Sequence, residues 1–164
     1  MMSSTESFLS QSVSHTEALG RCLGGVLRPG DVICLSGQLG SGKTSLTRGI
    51  AQGWGAAQAA TSPTFTLINS YTRQLDELRL YHVDAYRLNS ELDAVTTGIE
   101  ELFDEQAVIV IEWPERLESL LPQDRLWIDL TYQDTKSRRL QALAQGEHSE
   151  SLLTQLKQCF ETLS

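Results

Sequence analysis

The sequence has 164 residues, the length of one domain of ordinary size. With 40% hydrophobic and 21% charged residues, the composition is that of a globular protein rather than a disordered chain. The three cysteines are widely spaced and form no CxxC pair, so they indicate neither a zinc site nor a redox motif. Their odd number and wide spacing favour a reducing compartment. The formal net charge is −8, and residues 76–134 hold 15 of the 21 acidic residues against four arginines. We therefore do not expect this chain alone to bind nucleic acid through a broad, positively charged surface.

The first residues are rich in serine, and we predict that 1–14 form a loosely ordered segment ahead of a single domain at 15–164. This segment lacks the basic flank and the apolar stretch of a secretion signal. No later segment approaches the roughly 20 apolar residues that span a bilayer. We therefore expect a cytoplasmic protein that has no membrane partner.

The compact part begins with a predicted helix at 16–26, followed by an uncharged, β-rich run at 32–35 that is typical of a strand buried on both faces. The next eight residues, GQLGSGKT, fit the phosphate-binding P-loop pattern without a mismatch. Glycines let successive backbone N–H groups turn toward an anion, and the helix that follows, at 44–54, points its positive end at the same phosphates. The predicted nucleotide-binding residues of this loop are Gly37, Leu39, Gly40, Ser41, Gly42, Lys43, Thr44 and Ser45.

Within this motif, Lys43 supplies a mobile positive charge and the Thr44 hydroxyl is placed to ligate Mg²⁺. A carboxylate at the end of a nearby strand is also needed, because Mg²⁺ prefers oxygen ligands. Glu112 ends the apolar run 107–112 and is the first candidate, while Asp84 ends the strand predicted at 78–84 and is the second. Each acid is alternatively a solvated strand-end carboxylate, and His82 on the same strand is more simply a structural histidine than a proton shuttle.

The segment 61–68 resembles a switch loop, in which a hydroxyl of Thr64 or Ser62 would contact the γ-phosphate and Mg²⁺. A strand-entry turn with solvated hydroxyls explains the same residues equally well. Two hairpins are predicted, at 65–72 with 77–83 and at 126–132 with 138–144. Further helices are predicted at 90–97, 114–121 and 149–160. The fold class is therefore α/β: a P-loop NTPase-like, three-layer fold with a mixed, partly antiparallel central sheet.

The ordered segments GQLGSGKT, TSPTFTLINSY, YHVDAYRL, GIEELFDE and IVIEWPERL together resemble the TsaE (YjeE) family of small bacterial ATPases. This family is required for the threonylcarbamoyl modification of the adenosine next to the tRNA anticodon. The resemblance spans about 15–146, and the segments after the P-loop make it specific. In the loop itself, Gln38 stands where the family usually has an acid, and Ser41 where it usually has alanine.

The resemblance implies an ATPase that uses ATP and Mg²⁺ and acts on the TsaB–TsaD protein pair, with tRNA reached only indirectly through those partners. By position, Lys43 and Thr44 would bind phosphate and Mg²⁺, and Glu112 would be a metal carboxylate. Asp84 would order the attacking water or the metal shell, and Thr64 would belong to the switch loop. Trp113 would lie beside the nucleotide, although core packing explains this residue equally well.

Two other classes of protein use the same loop. A small-molecule kinase needs a lid of arginines, which this sequence does not readily show, and a nucleotide-gated switch is a binding module rather than a metabolic enzyme. Arg138 and Arg139 are candidates for the cation that completes a P-loop hydrolysis site, although a solvated hairpin rim explains them better. A GTP-dependent switch is disfavoured because the sequence has no N-K-x-D guanine motif. The acidic segment 91–118 is either a protein-docking face or a solvated helix surface.

Overall fold

The structure, a computed structural model, describes residues 3–61 and 67–163 and holds a seven-stranded sheet in the order β1-β7-β6-β2-β5-β4-β3. The strands are β1 Ser3–Ser10, β2 Val32–Gly37, β3 Ile68–Thr72, β4 Arg79–Asp84, β5 Val108–Glu112, β6 Arg125–Tyr132 and β7 Arg138–Gln145. The helices are α1 Val13–Val26, α2 Lys43–Trp54, α3 Glu91–Thr96, α4 Ile99–Phe103 and α5 Glu147–Glu161, with a 3₁₀ helix at Pro114–Leu120. The proposed switch residues Ser62 and Thr64 lie outside the described residues.

The sheet is mixed, as predicted. β2 pairs in parallel with both β5 and β6, and β4 pairs in parallel with β5. The pairs β3–β4, β6–β7 and β1–β7 are antiparallel, so both predicted hairpins are confirmed. Because β2 and β5 are central and buried on both faces, their sequences are continuously apolar rather than alternating.

Helices cover both faces of the sheet, which makes the predicted three-layer architecture. Side chains along a strand alternate between the faces, so Ile33 packs in a core with α1, α2 and α5. Its neighbour Cys34 packs in a second core with Ala94 of α3, Ile99 of α4 and Leu117 of the 3₁₀ helix. Helix α4 was not predicted from the sequence, because five residues are too few to show a helical period.

The expectation of a loosely ordered segment at 1–14 is wrong for the residues that the structure describes. Ser3–Ser10 form the edge strand β1, antiparallel to β7, and α1 begins at Val13, three residues before the predicted start. The polar sequence hides the strand because only one face is buried, where Phe8 packs against Phe160 with ring centroids 5.0 Å apart. Ser12 caps α1 by accepting a hydrogen bond from the His15 amide at 3.0 Å.

Helices α1 and α2 pack so closely that glycines are required on both sides of the contact. A Cβ at Gly24 of α1 would lie 2.1 Å from the Ile50 carbonyl oxygen, and one at Gly49 of α2 would lie 2.2 Å from the Glu17 carbonyl oxygen. Both distances are far shorter than a van der Waals contact, so any side chain would force the helices apart. Helix α1 thereby supports the P-loop helix along its length.

The cysteines do not all remain thiols in this structure. Cys22 of α1 and Cys159 of α5 form a disulfide across 137 residues of sequence, with Cα atoms 5.8 Å apart, while Cys34 is a free thiol buried in the sheet. The expectation of a reducing compartment, which rested on their odd number and wide spacing, is not supported by this pairing. Spacing along the chain did not reveal the pair because only the packing of α5 against α1 brings the two residues together.

No helix in the described ranges, 3–61 and 67–163, is both long enough and apolar enough to cross a membrane.

Candidate functional site

The P-loop connects the end of β2 to the start of α2, and three of its glycines adopt left-handed or related backbone conformations. Gly37, Gly40 and Gly42 have φ values of 141°, 79° and 111°. A Cβ at Gly40 would lie 2.7 Å from the Tyr132 hydroxyl, so a side chain at that position would have to displace the Tyr132 ring. The sequence pattern therefore corresponds to a backbone that other residues would strain.

Lys43, the first residue of α2, lies within this loop and is almost wholly buried, with 5% exposure. Its Nζ donates to the Gly37 carbonyl and, at 2.9 Å, to the Gln38 carbonyl. The same Nζ lies 4.4 Å from the centroid of the Trp113 ring. Burial lowers the pKa of Lys43, and the negative charge of Glu112 is the largest effect that opposes this shift.

The two carboxylates predicted from the sequence come together because β4 and β5 are parallel neighbours. Asp84 and Glu112 are register partners at the carboxyl ends of these strands, and Leu35 of β2 pairs with Glu112 on its other side. Burial raises the pKa of Asp84; the Tyr86 amide, which donates to Oδ1 at 3.0 Å, opposes this shift, and the charge of Glu112 adds to it. Parallel strands bring their acids to one edge of a sheet, which is where α/β proteins place their ligands.

Glu112 is buried, with 3% exposure, and contacts His82. The distance between His82 Nε2 and Glu112 Oε2 is 2.5 Å. His82 is two residues before Asp84 on β4 and has 0% exposure. The sequence marked this histidine as structural, and the structure shows that its partner is the candidate metal carboxylate.

Trp113 follows Glu112 and turns the chain away from the sheet. Its φ of 60° is the only positive φ of a non-glycine residue among those described, and its amide donates to the Leu35 carbonyl at 3.2 Å. The indole packs against Tyr86, with ring centroids 4.9 Å apart, and its ring face lies against the Lys43 ammonium group. Trp113 is partly exposed here, so it belongs to the wall of the site rather than to the core alone.

These groups line a single cleft of about 270 Å³ at the carboxyl edge of the sheet. Its lining residues are Leu39, Gly40, Gly42, Lys43, Thr44, Ser45, Asp84, Tyr86, Glu112 and Trp113. All of them except Tyr86 were predicted. Of the other predicted residues, Gly37 lines a separate cavity with Gln38 and Tyr132. The Ser41 hydroxyl is buried and has no hydrogen-bond partner in the described part of the chain.

The opposite side of the loop is bounded by β6, which the sequence did not connect with the site. Tyr132 donates from its hydroxyl to the Leu39 carbonyl at 3.4 Å, and Arg138 lies 4.1 Å from the centroid of the Tyr132 ring. Arg139 instead donates to Ser7 of β1 at 2.9 Å. Only the pairing of β6 with β2 brings Tyr132 to the loop, so no local sequence signal identifies it.

The donor set suits a hard divalent cation that is held partly by substrate. Among the described residues, no group of three or more histidine, cysteine or acidic side chains could hold a metal on its own. What the cleft offers is a pair of adjacent carboxylates, Asp84 and Glu112, facing the residue Thr44 of α2. Mg²⁺ is typically bound by one or two carboxylates plus substrate phosphates, so these residues fit it.

Comparison with known proteins gives a consistent result. The family model "Threonylcarbamoyl adenosine biosynthesis protein TsaE" matches residues 10–140. The curated TsaE protein of Bacillus subtilis is 37% identical over 142 residues, covering 87% of each chain. That of Streptomyces coelicolor is 45% identical over 108 residues, covering 66% of this chain and 73% of the relative. The crystal structure of Bacillus subtilis YdiB superposes with a TM-score of 0.79 at 33% identity, covering 96% of this chain and 97% of that one. The chain therefore belongs to the TsaE family, whose role is in tRNA threonylcarbamoyladenosine biosynthesis.

Proposed function

We propose that this protein is a Mg²⁺-dependent ATPase whose hydrolysis supports tRNA threonylcarbamoyladenosine formation by the TsaB–TsaD pair. The observation that carries the proposal is the convergence of Lys43, Thr44, Asp84 and Glu112 on one cleft at the mouth of the P-loop. A nucleotide cradle alone would serve a binding protein. The two carboxylates beside it supply what hydrolysis needs in addition.

The loop and α2 bind the phosphates. Backbone N–H groups and the positive end of the twelve-residue helix α2 attract anionic oxygens. Lys43 is held by the carbonyls of Gly37 and Gln38, and a phosphate in the cradle would replace them as its partner. Because Trp113 packs over Lys43, it limits the access of water to that ammonium group.

Thr44 and Glu112 would hold Mg²⁺, which when bound neutralises charge on the phosphate oxygens. Asp84 is the group that orients the attacking water, because it lies beside Glu112 and lines the same cleft. Thr64 would complete the phosphate side as part of the switch loop. This division of roles follows from burial: Glu112 is the more enclosed carboxylate, while Asp84 is half-buried at the opening.

Hydrolysis by the isolated chain should be slow. Lys43 is the only cation among the described residues that line the cleft. Arg138 is stacked on Tyr132 and Arg139 is bound to Ser7, so neither supplies the arginine that accelerates many P-loop enzymes. The TsaB–TsaD pair would complete the site and would hold the tRNA, which this acidic chain is poorly suited to bind itself.

The test is ATP hydrolysis by the purified protein, alone and with a TsaB–TsaD pair and tRNA. We expect low activity alone, a rise with the pair, and a loss of that rise in Glu112→Gln, which removes the charge but keeps the shape. The matched control is Glu100→Gln, which alters an exposed acid on α4. Lys43→Ala should abolish nucleotide binding, and Lys157→Ala on α5 should not.

Three outcomes would contradict the proposal. Equal stimulated rates in Glu112→Gln and the parent would remove the metal role of Glu112. A preference for GTP in competition with a fluorescent ATP analogue would indicate a switch protein. Phosphate transferred to an added metabolite rather than to water, at a rate indifferent to TsaB–TsaD, would indicate a small-molecule kinase.

A further inference from the structure

The buried contact between His82 and Glu112 lies directly behind the cleft. The two residues are 0% and 3% exposed, and His82 Nε2 lies 2.5 Å from Glu112 Oε2. Burying a carboxylate away from water is costly unless a donor satisfies it. His82 is the side chain within hydrogen-bonding distance of Glu112 at this position.

The other ring nitrogen shows what orients the histidine. His82 Nδ1 is buried and has no hydrogen-bond partner in the ranges that the structure describes. A histidine kept only to satisfy the core would ordinarily bond through both nitrogens. Among the described residues, the one hydrogen bond of the ring is with Glu112, so this contact sets the ring's orientation.

The same hydrogen bond gives the two oxygens of the Glu112 carboxylate different surroundings. A contact with a carboxylate requires the proton on Nε2, and donation from Nε2 to Oε2 fixes the rotation of the Glu112 side chain. Oε1 is then the oxygen left for the cleft that Glu112 lines. Without this donor, Glu112 could turn toward the ammonium group of Lys43, the cation of the same cleft.

We propose that His82 is a positioning residue, whose Nε2–H holds the Glu112 carboxylate in the orientation that accepts a divalent cation. The inference rests on the proposed function in one respect, the assignment of Glu112 to the metal. It adds a residue on a different strand, behind the ligand rather than in contact with the nucleotide. Groups that orient a ligand in this way commonly change metal affinity by about 10- to 100-fold when removed.

The sharpest test compares two substitutions of His82 by amide side chains that differ only in length. In His82→Gln the side-chain amide extends about as far as Nε2 and can still donate to Glu112. In His82→Asn the amide stops near the position of Nδ1 and cannot. Both place an amide in the same buried position, so a purely structural role would impair them alike.

The measurement is Mn²⁺ affinity by electron paramagnetic resonance, with ADP present, alongside metal-free affinity for a fluorescent ATP analogue. We expect His82→Asn to weaken Mn²⁺ binding by about tenfold or more, with nucleotide affinity unchanged and His82→Gln close to the parent. Leu80→Met is the control, because it alters another buried side chain of β4 at nearly constant volume. In a Glu112→Ala background, His82→Asn should cause no further loss.

Equal Mn²⁺ affinity in His82→Asn and the parent would overturn the inference, as would equal losses in the two amide variants. Additive losses with Glu112→Ala would also overturn it, because His82 would then act independently of Glu112. These results are separate from a failure of the proposed function. If the unsubstituted protein binds Mn²⁺ and nucleotide but hydrolyses no ATP, the ATPase proposal is contradicted while the positioning role of His82 is not.

Discussion

The close contact between α1 and α2 predicts opposite effects for the same substitution at two adjacent glycines. In Gly24→Ala the new Cβ would meet the Ile50 carbonyl oxygen at 2.1 Å and the Trp54 nitrogen at 2.7 Å. Ordinary contact begins near 3.4 Å, so the helices must separate by more than 1 Å. Such overpacking costs about 1–3 kcal/mol or more, which exceeds the gain of up to about 1 kcal/mol for replacing a helical glycine.

At Gly25, the next residue, the nearest atom to a new Cβ is the Gly53 carbonyl oxygen at 3.9 Å, an ordinary contact. Gly25→Ala should therefore raise the free energy of unfolding by about 0.5–1 kcal/mol. Urea denaturation of both variants and the parent, with the disulfide intact, measures the difference. If both variants were stabilised equally, the helices would not be in the contact described, and the reasoning would be refuted.

Three further predictions concern a buried acid, the disulfide and the P-loop. Burial raises the pKa of the Asp31 carboxyl in the folded protein. Its contribution to the free energy of unfolding is therefore complete below the pKa of the unfolded chain and is lost as the pH rises through the folded pKa. Urea denaturation from pH 4 to 7 should show that Asp31→Asn lacks this loss of stability with rising pH. Breaking the disulfide with Cys22→Ser should lower the free energy of unfolding by up to about 5 kcal/mol, the chain-entropy figure for so long a loop, and a parent equally stable with and without reductant would contradict it. Gly40→Ala should weaken the binding of a fluorescent ATP analogue about tenfold, because left-handed backbone at a non-glycine residue costs about 1–2 kcal/mol. The control is Gly30→Ala, where φ is also positive but the space around the residue is open, and it should leave that affinity unchanged.

Local sequence predicted the parts of the site that are local in the chain. The P-loop is a run of consecutive residues between a strand and a helix, so its pattern fixes its geometry. Asp84 and Glu112 were recognised as strand ends, but their pairing depends on β4 lying beside β5, which is a property of the tertiary fold. The position of His82 follows from the same neighbour relation, and so its contact with Glu112 was not predictable either.

Features that depend on distant packing escaped prediction altogether. The polar strand β1 has the composition of a loop because only one face is buried. Gly24 and Gly49 look like ordinary breaks in helical periodicity until the two helices are seen in contact. Tyr132 reaches the P-loop through the pairing of β6 with β2, for which no spacing rule exists.

The position of β1 also governs the order in which the sheet can be assembled. Its hydrogen-bonding partner, β7, lies far along the chain, with Ser3 opposite Gln145 and Ser10 opposite Arg138. During synthesis on the ribosome, β1 stays without its β7 partner until nearly all of the chain has emerged. Pairs of such high sequence separation form slowly, so the nucleotide cleft, built from β2, β4, β5 and α2, can be assembled before the edge of the sheet is closed.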